Sequence, residues 1–247
     1  MDLAEMLSHV REYLDDYTDI IDGDPDRLWS DDSIVRHLNQ GARILCRRAW
    51  AIIEYGKAPA GIIVLQAGKV LYDLHPSVLK VLDATPSTQV APLGRLTDIE
   101  LRDPSPIGSD AFDVGENAAR ESTALTGASL AFASDAGTRQ MRVYPEPTAT
   151  QNGVVVSLKI ARLPIVELTL DDVDAEAETP REWDMPLCDY AVGKSLMRPN
   201  LDTQSKSDGR ELLATFMEDV RQARQERVRA ELGTGRWAFS STTAVLR

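Results

Sequence analysis

The sequence predicts an α+β protein: helices from the two ends of the chain form one bundle, and a β-rich stretch is inserted between them. Three observations carry this. Apolar residues recur at spacings of three and four near both ends of the chain. Short β-type runs bounded by Gly and Pro fill the middle. The two kinds of element are segregated, which argues against an alternating parallel fold. The expected layout is a helical bundle from 1–56 and 180–232, an antiparallel β-sandwich-like insertion over 57–170, and an extended C-terminal docking tail over 233–247.

In the first helix, over 2–17, Leu3, Met6, Leu7, Val10 and Leu14 make one stripe. Asp22-Gly23-Asp24-Pro25-Asp26 ends it in a loop. Ser30 is placed to cap the second helix, because its hydroxyl can accept from a free backbone N–H. Asp31 and Asp32 then occupy the first turn, where the helix dipole favours negative charge. Ile34, Leu38, Ala42, Leu45, Ala49 and Ile52 carry its apolar face to about residue 54.

Strands are expected at 62–65, 70–74, 78–84 and 90–96, with Gly68-Lys69 as the turn between the first two. Residues 102–127 hold Pro104, Pro106, Gly108, Gly115 and Gly127 without a clean period, and read as a long loop or extended excursion. The segments 129–133 and 139–144 form a hairpin around Asp135-Ala136-Gly137. Over 153–163, Val154, Val156, Leu158 and Ile160 alternate with Val155, Ser157, Lys159 and Ala161, as in a long strand.

An acidic connector over 171–178 leads back to helices. Asp184 fits an N-cap with Pro186 just inside the helix. Leu187, Tyr190, Ala191, Lys194 and Met197 share a face, and Pro199 stops it. Asp208 and Glu211 have the spacing of a capping box for a last helix. Its stripe is Leu212, Leu213, Phe216, Val220 and Ala223; from Arg224 to about Leu232 it is almost wholly polar. The tail after Gly233 has no helical pattern and closes on apolar Ala244-Val245-Leu246.

Asp and Glu number 39 against 27 Lys and Arg, for a net charge of −12, so the average surface repels nucleic acid. That argues against a DNA-coating role. No apolar run approaches the roughly 20 residues that cross a bilayer. The acidic, helix-patterned start is unlike a signal peptide, so synthesis in the cytoplasm is expected, with no membrane partner. Cys46 and Cys188 lie inside apolar helical patterns and read as small core residues. His9, His37 and His75 are scattered, and neither Ser195 nor Ser205 has a base beside it. The acidic groups around 19–26 and 171–178 lack the alternating ligands, central Gly and closing Glu of a calcium loop. They read as caps and connectors. No catalytic group, metal or cofactor is expected.

The Arg-rich end of the last helix is different. Arg221, Arg224, Arg227 and Arg229 have only Glu226 and Glu231 as nearby acids, and the helix loses its apolar stripe there. Such an end projects into solvent or awaits an acidic partner or passing DNA. Arg236, Trp237 and Phe239 follow a flexible Gly233-Thr234-Gly235, and Trp and Arg are favoured interface anchors.

Four motifs in order complete the reading. Trp29 precedes a capped acidic helix start at Asp31 with an Asn39-Gln40-Gly41-Ala42 centre. Gly68 is followed by Tyr72-Asp73-Leu74. Tyr144-Pro145-Glu146-Pro147 precedes the last strand, and a shorter helix leads to a longer one. Along almost its full length the chain resembles the head-to-tail connector (adaptor, or head-completion) proteins of tailed bacteriophages, of the tail-tubular-protein-A-like kind of short-tailed phages. The resemblance implies a structural virion protein in a ring, dodecameric in the family pattern, beneath the portal protein. It implies a neck position that extends the channel for dsDNA and offers a platform to the tail or nozzle protein. It makes Arg221, Arg224, Arg227, Arg229, Arg236, Trp237 and Phe239 the portal-facing candidates, and 61–165 the tail-facing part. His75 before Pro76 and the 102–127 segment depart from the family pattern. Three other readings stay open: another neck or tail-completion protein, a regulatory binding module, and a metal-dependent hydrolase on the acidic loops.

Overall fold

A computed structural model describes residues 1–14, 29–87, 94–95, 131–135, 139–144, 146–198, 201 and 203–232 of the chain. The helices are α1 (Leu3–Tyr13), α2 (Asp31–Ala49), α3 (Asp184–Leu196) and α4 (Thr203–Leu232). The strands are β1 (Ile52–Tyr55), β2 (Ile62–Val64), β3 (Leu71–Asp73), β4 (Val78–Pro86), β5 (Gly94–Arg95), β6 (Ala131–Asp135), β7 (Gln140–Tyr144) and β8 (Val155–Arg162). Mixed and segregated, they make the α+β class expected. The loop at 22–26, most of 90–96, the excursion at 102–127 and the tail 233–247 lie outside the described residues.

Helix starts follow the local chemistry. The Asp2 side chain accepts from the Glu5 N–H, and the Glu5 side chain accepts in return from the Asp2 N–H. Ser30 caps α2 as expected, accepting from the Ser33 N–H. The end of α2 differs from expectation. It stops at Ala49, where Trp50 turns left-handed at φ 52°. Ile52 and Ile53, read as helix from their apolar spacing, instead enter β1. Their β-branched side chains fit a half-buried pleated surface.

Two further starts are corrected. Asp184 is not a cap but the first residue of α3, after a 3₁₀ turn at Arg181–Trp183. Its buried carboxylate accepts from the Met1 amino group at 2.6 Å. α4 begins at Thr203, five residues before Asp208 (208 − 203 = 5). Asp208 is therefore inside the helix, accepting from Gln204 Nε2 at 2.9 Å, and no capping box forms there. Tertiary contact overrides the Ser- and Gly-rich local signal. α4 packs along α3, where Gly193 and Gly209 meet with no side chain between the two backbones.

α3 is buried nearly all round, not on one face: Leu187, Cys188, Tyr190, Ala191 and Val192 are all interior. α1 and α4 each pack on α3 and α2, so α3 is the axis of the bundle. Phe216 and Val220 of α4 are buried there, and Phe216 lies 4.8 Å from the Tyr190 ring centre.

β8 organises the first sheet. β1 and β2 pair with it in succession along one side, and β4 runs along the other, all antiparallel. The second sheet has the order β3-β7-β6-β5, antiparallel except for the short β5–β6 pair. β2 and β3 thus belong to different sheets, and the Gly68 turn carries the chain between sheets instead of closing a hairpin. The β6–β7 hairpin forms as expected. Val156, Leu158 and Ile160 from β8 and Phe132, Met141 and Val143 from β6 and β7 are fully buried in one shared core. The helical core is separate and includes Leu168 and Ile52.

The α3–α4 crossing gives a direct test. An alanine Cβ at position 209 would lie 2.9 Å from Leu196 Cβ and 3.0 Å from the Gly193 carbonyl oxygen. Helix propensity favours Ala by about 1 kcal/mol, but forced repacking costs about 1–3 kcal/mol. Gly209→Ala should lower the urea unfolding midpoint. A midpoint at or above wild type would show that the helices can separate freely there.

Candidate functional site

Each motif residue whose side chain is described joins two elements. Trp29 is buried, and its indole N–H donates to the Ser195 carbonyl at 3.1 Å, tying the start of α2 to the end of α3. Asp31 pairs with Arg11 of α1. Asn39 reads both backbone groups of Leu168: its amide donates to the carbonyl at 2.8 Å and its oxygen accepts from the N–H at 3.0 Å. Ala42 is in the helical core. Beside it, a Cβ on Gly41 would come within 2.9 Å of the Tyr190 ring, so only Gly admits α3 this closely.

The second group meets around one turn. Gly68 has φ +79°, which an L side chain resists, and its N–H donates to the Pro147 carbonyl at 3.0 Å. Tyr72 is buried; its hydroxyl accepts from the Gln66 N–H at 3.0 Å and donates to the Gln66 carbonyl at 3.3 Å. The Leu74 N–H donates to the Arg139 carbonyl at 2.9 Å, and its side chain packs on the β core. Pro147 is buried. Tyr144 lies in β7 and is paired with Ala131, while Pro145 is outside the described residues. Gly68-to-Leu74 and the Pro147 element, remote in sequence, therefore form one corner.

One cluster gave no sequence signal. Arg162, at the end of β8 and 8 % exposed, donates to Glu54 of β1 at 2.7 Å and also pairs with Glu178. Glu178 also accepts from the backbone N–H groups of Ile165 (3.2 Å) and Val166 (2.9 Å). Burial alone would push its pKa up, but the Arg162 bond and the two amides outweigh that and hold it below 4.5. The acidic connector is therefore not merely solvated. It is fastened at Glu178, at Leu168, and at α1, where the Leu3 and Ala4 N–H groups donate to the Ala175 and Val173 carbonyls. Only chain pairing brings residues 54, 162 and 178 together, so spacing could not reveal them.

The described cysteines, Ser195 and two of the histidines have the following environments. Cys46 and Cys188 are buried free thiols, pushed up to about 12 by burial. The buried Ser195 hydroxyl donates to the Ala191 carbonyl at 2.9 Å. Burial, then Lys194, Arg36 and Arg198, push the His37 pKa down. His75 Nδ1 lies 2.8 Å from Ser77 Oγ. Among the described residues no three His, Cys, Asp or Glu side chains are grouped to hold a metal ion. No described helix is long and apolar enough to cross a membrane.

The arginines of α4 have separate environments. Arg221 is bound to Glu218 on its own helix at 2.6 and 2.9 Å, an acid the sequence reading had not paired with it. Arg224 donates to the Arg48 carbonyl at 2.8 Å, at the C-terminus of α2 where exposed carbonyls favour a cation. Its guanidinium is 5.0 Å from the Trp50 indole, which Lys80 also approaches at 4.2 Å. Arg227 is half-buried and Arg229 exposed; Arg236, Trp237 and Phe239 lie outside the described residues. Arg48, Ala214, Met217, Val220, Arg221 and Arg224 surround a groove of about 630 Å³ on this face. A second cleft, of about 330 Å³, lies between Arg43, Arg47, His75, Ile165 and Glu167.

These features describe closely fastened elements with an exposed polar helix and no assembled reaction centre among the described residues. A family model described as SU10 adaptor protein matches residues 1–243. The chain belongs to the SU10 adaptor protein family, a phage head-to-tail adaptor family. A comparison with the curated proteins finds no match. The adaptor is thus a structural phage protein, and the motif residues read from its sequence serve as fasteners between elements.

Two predictions follow from those fasteners. Asn39→Ala in the adaptor leaves the Leu168 N–H and carbonyl unpaired, at about 1–3 kcal/mol for each buried group. The denaturation midpoint should fall, and Asn39→Asp, which keeps only the acceptor, should lie between. Glu178 has a lowered folded pKa, so its contribution is present above 4.5 and lost as pH falls through that lowered value. The difference in melting temperature between wild type and Glu178→Gln should be large at pH 7 and shrink on acidification below 4.5. A difference independent of pH would remove the ion-pair account.

Proposed function

We propose that the adaptor is a non-enzymatic virion protein that assembles as a ring, dodecameric in the family pattern, under the portal at the neck. There it joins capsid to tail and lengthens the channel through which dsDNA passes without sequence-specific binding. The helical bundle (1–56 and 180–232) builds the ring. The sandwich-like β region (57–170) faces the tail or nozzle protein, and the extended tail (233–247) docks on the portal.

The observation that carries this is the reach of α4. Among its described side chains Ala223 is the last that packs on the core, and Arg224 is held at the Arg48 carbonyl, yet the helix continues to Leu232. At 1.5 Å per residue the stretch after Arg224 is roughly 12 Å of helix beyond that contact. No apolar stripe holds it down, and Arg227 and Arg229 ride on it. A rigid arm of this kind suits a contact outside the subunit. Arg221 and Arg224 are bound at the groove instead, so Arg227, Arg229, Arg236, Trp237 and Phe239 are the residues assigned to the portal.

Co-expression with the portal protein from the same genome, then sedimentation and electron microscopy, tests this. A ring layer beneath the portal is expected. Arg227→Glu with Arg229→Glu should weaken binding at least tenfold, about 1.4 kcal/mol, with an unchanged melting temperature. Undiminished binding would withdraw the assignment of this arm. A folded adaptor that ignores the portal but binds tail proteins would place it lower in the neck.

A further inference from the structure

The surface carries two features of opposite charge, each with an apolar part. The first is the groove of about 630 Å³ between α4 and the end of α2. Ala214, Met217 and Val220 give its lining an apolar part, and Arg48, Arg221 and Arg224 a basic one. Glu218 is the one acid in its lining, and it is already held by Arg221.

The second is a ridge on the connector. Two successive turns, closed by Asp172 N–H to the Thr169 carbonyl and Ala175 N–H to the Asp172 carbonyl, each at 3.3 Å, fold residues 169–175 into a compact knob. The Ala4 N–H donates to the Val173 carbonyl at 2.9 Å and fixes the knob to α1. Leu170 is 37 % and Val173 43 % exposed, though both are large apolar residues. Asp171, Asp172 and Asp174 surround them, all exposed. The knob thus offers an apolar pair among acids, the complement of a lining that is part apolar and part arginine.

Their placement matters as much. The knob is fastened to α1 and the groove is built on α4, helices that pack separately on the α2–α3 pair. Two different faces of one subunit that fit each other make a heterologous contact. Repeated around an axis, such contacts make a ring when the rotation closes and a filament when it does not. A chain of net charge −12 repels its own copies over most of its surface, so a local acid-to-arginine match would select the register.

We propose that the connector knob Leu170–Asp174 of one subunit seats in the α4 groove of the next, with Leu170 and Val173 against Ala214 and Met217. Asp171, Asp172 and Asp174 meet Arg48, Arg221 and Arg224. This rests on the ring reading above and names the surface that makes the ring.

The test uses full-length protein in which Val173→Cys and Met217→Cys are introduced together, co-assembled with portal and treated with a short thiol crosslinker. The native Cys46 and Cys188 are buried and stay unreactive. A ladder of crosslinked subunits is expected, and neither single variant should give one. Asp171→Lys, Asp172→Lys and Asp174→Lys together, in the two-cysteine background, should abolish the ladder. Adding Arg221→Glu should restore part of it. A ring layer seen by microscopy without the ladder overturns this interface and leaves the ring standing. Dimers from Val173→Cys alone point to a symmetric contact and also overturn it. If no layer forms and no ladder appears in concentrated adaptor alone, the ring reading and this interface fall together.

Discussion

Arg162 stands where the two cores of the molecule meet, and its charge is matched from both sides. Glu54 reaches it from β1, the strand that continues from α2, and Glu178 reaches it from the connector that returns to α3. Arg162 is only 8 % exposed, and stripped of both carboxylates its charge would be buried without a partner, a state that costs about 3–5 kcal/mol. The interaction is worth less as net stability than as geometry. It fixes the two crossings between the helical and β regions at one point, with β8 supplying the cation. β8 itself takes pairs from β1, β2 and β4, so the register of the first sheet and the angle of the bundle share one reference strand.

This explains how much could be read in the sequence. The buried stripe of α1, the Ser30 cap, the alternation of β8 and the β6–β7 hairpin are local patterns, and they appear as expected, although α1, read over 2–17, already closes at Tyr13 with Leu14 as its cap. The misreadings are places where a distant contact outweighs the local signal. Ile52 and Ile53 continue the helical spacing of α2, but Trp50 adopts φ 52° and β8 offers an unfilled edge. Asp208 and Glu211 have cap spacing, but the close approach of Gly193 and Gly209 carries the helix back to Thr203.

The candidate site was legible in a different way. Trp29, Asn39, Gly68 and Tyr72 stand out as motif residues, yet their partners do not. Asn39 bonds Leu168, 129 positions away, and Trp29 bonds Ser195, 166 positions away. A sequence shows that a residue type is unusual in its place; only the folded chain shows what it holds. The arginines of α4 illustrate the reverse. Composition groups them as one basic stripe, but Arg221 and Arg224 are tied to Glu218 and to the Arg48 carbonyl, while Arg229 remains exposed.

That separation bears on how an acidic adaptor could assemble at all. With net charge −12, approach between copies is unfavourable except where cations are concentrated. The end of α2 and the middle of α4 concentrate them: Arg43, Arg47 and Arg48 on one helix, Arg221 and Arg224 on the other, with Lys80 beside Trp50. Screening in physiological salt leaves about 8 Å of range, so the net charge matters little at contact and the local match decides. Trp50 then has a role beyond ending α2. Cations from β4 and α4 both face its indole, so the same residue that turns the chain from helix to strand also holds Arg224 of the groove in position. The fastening that the motif residues give the fold therefore extends to the surface where these cations gather.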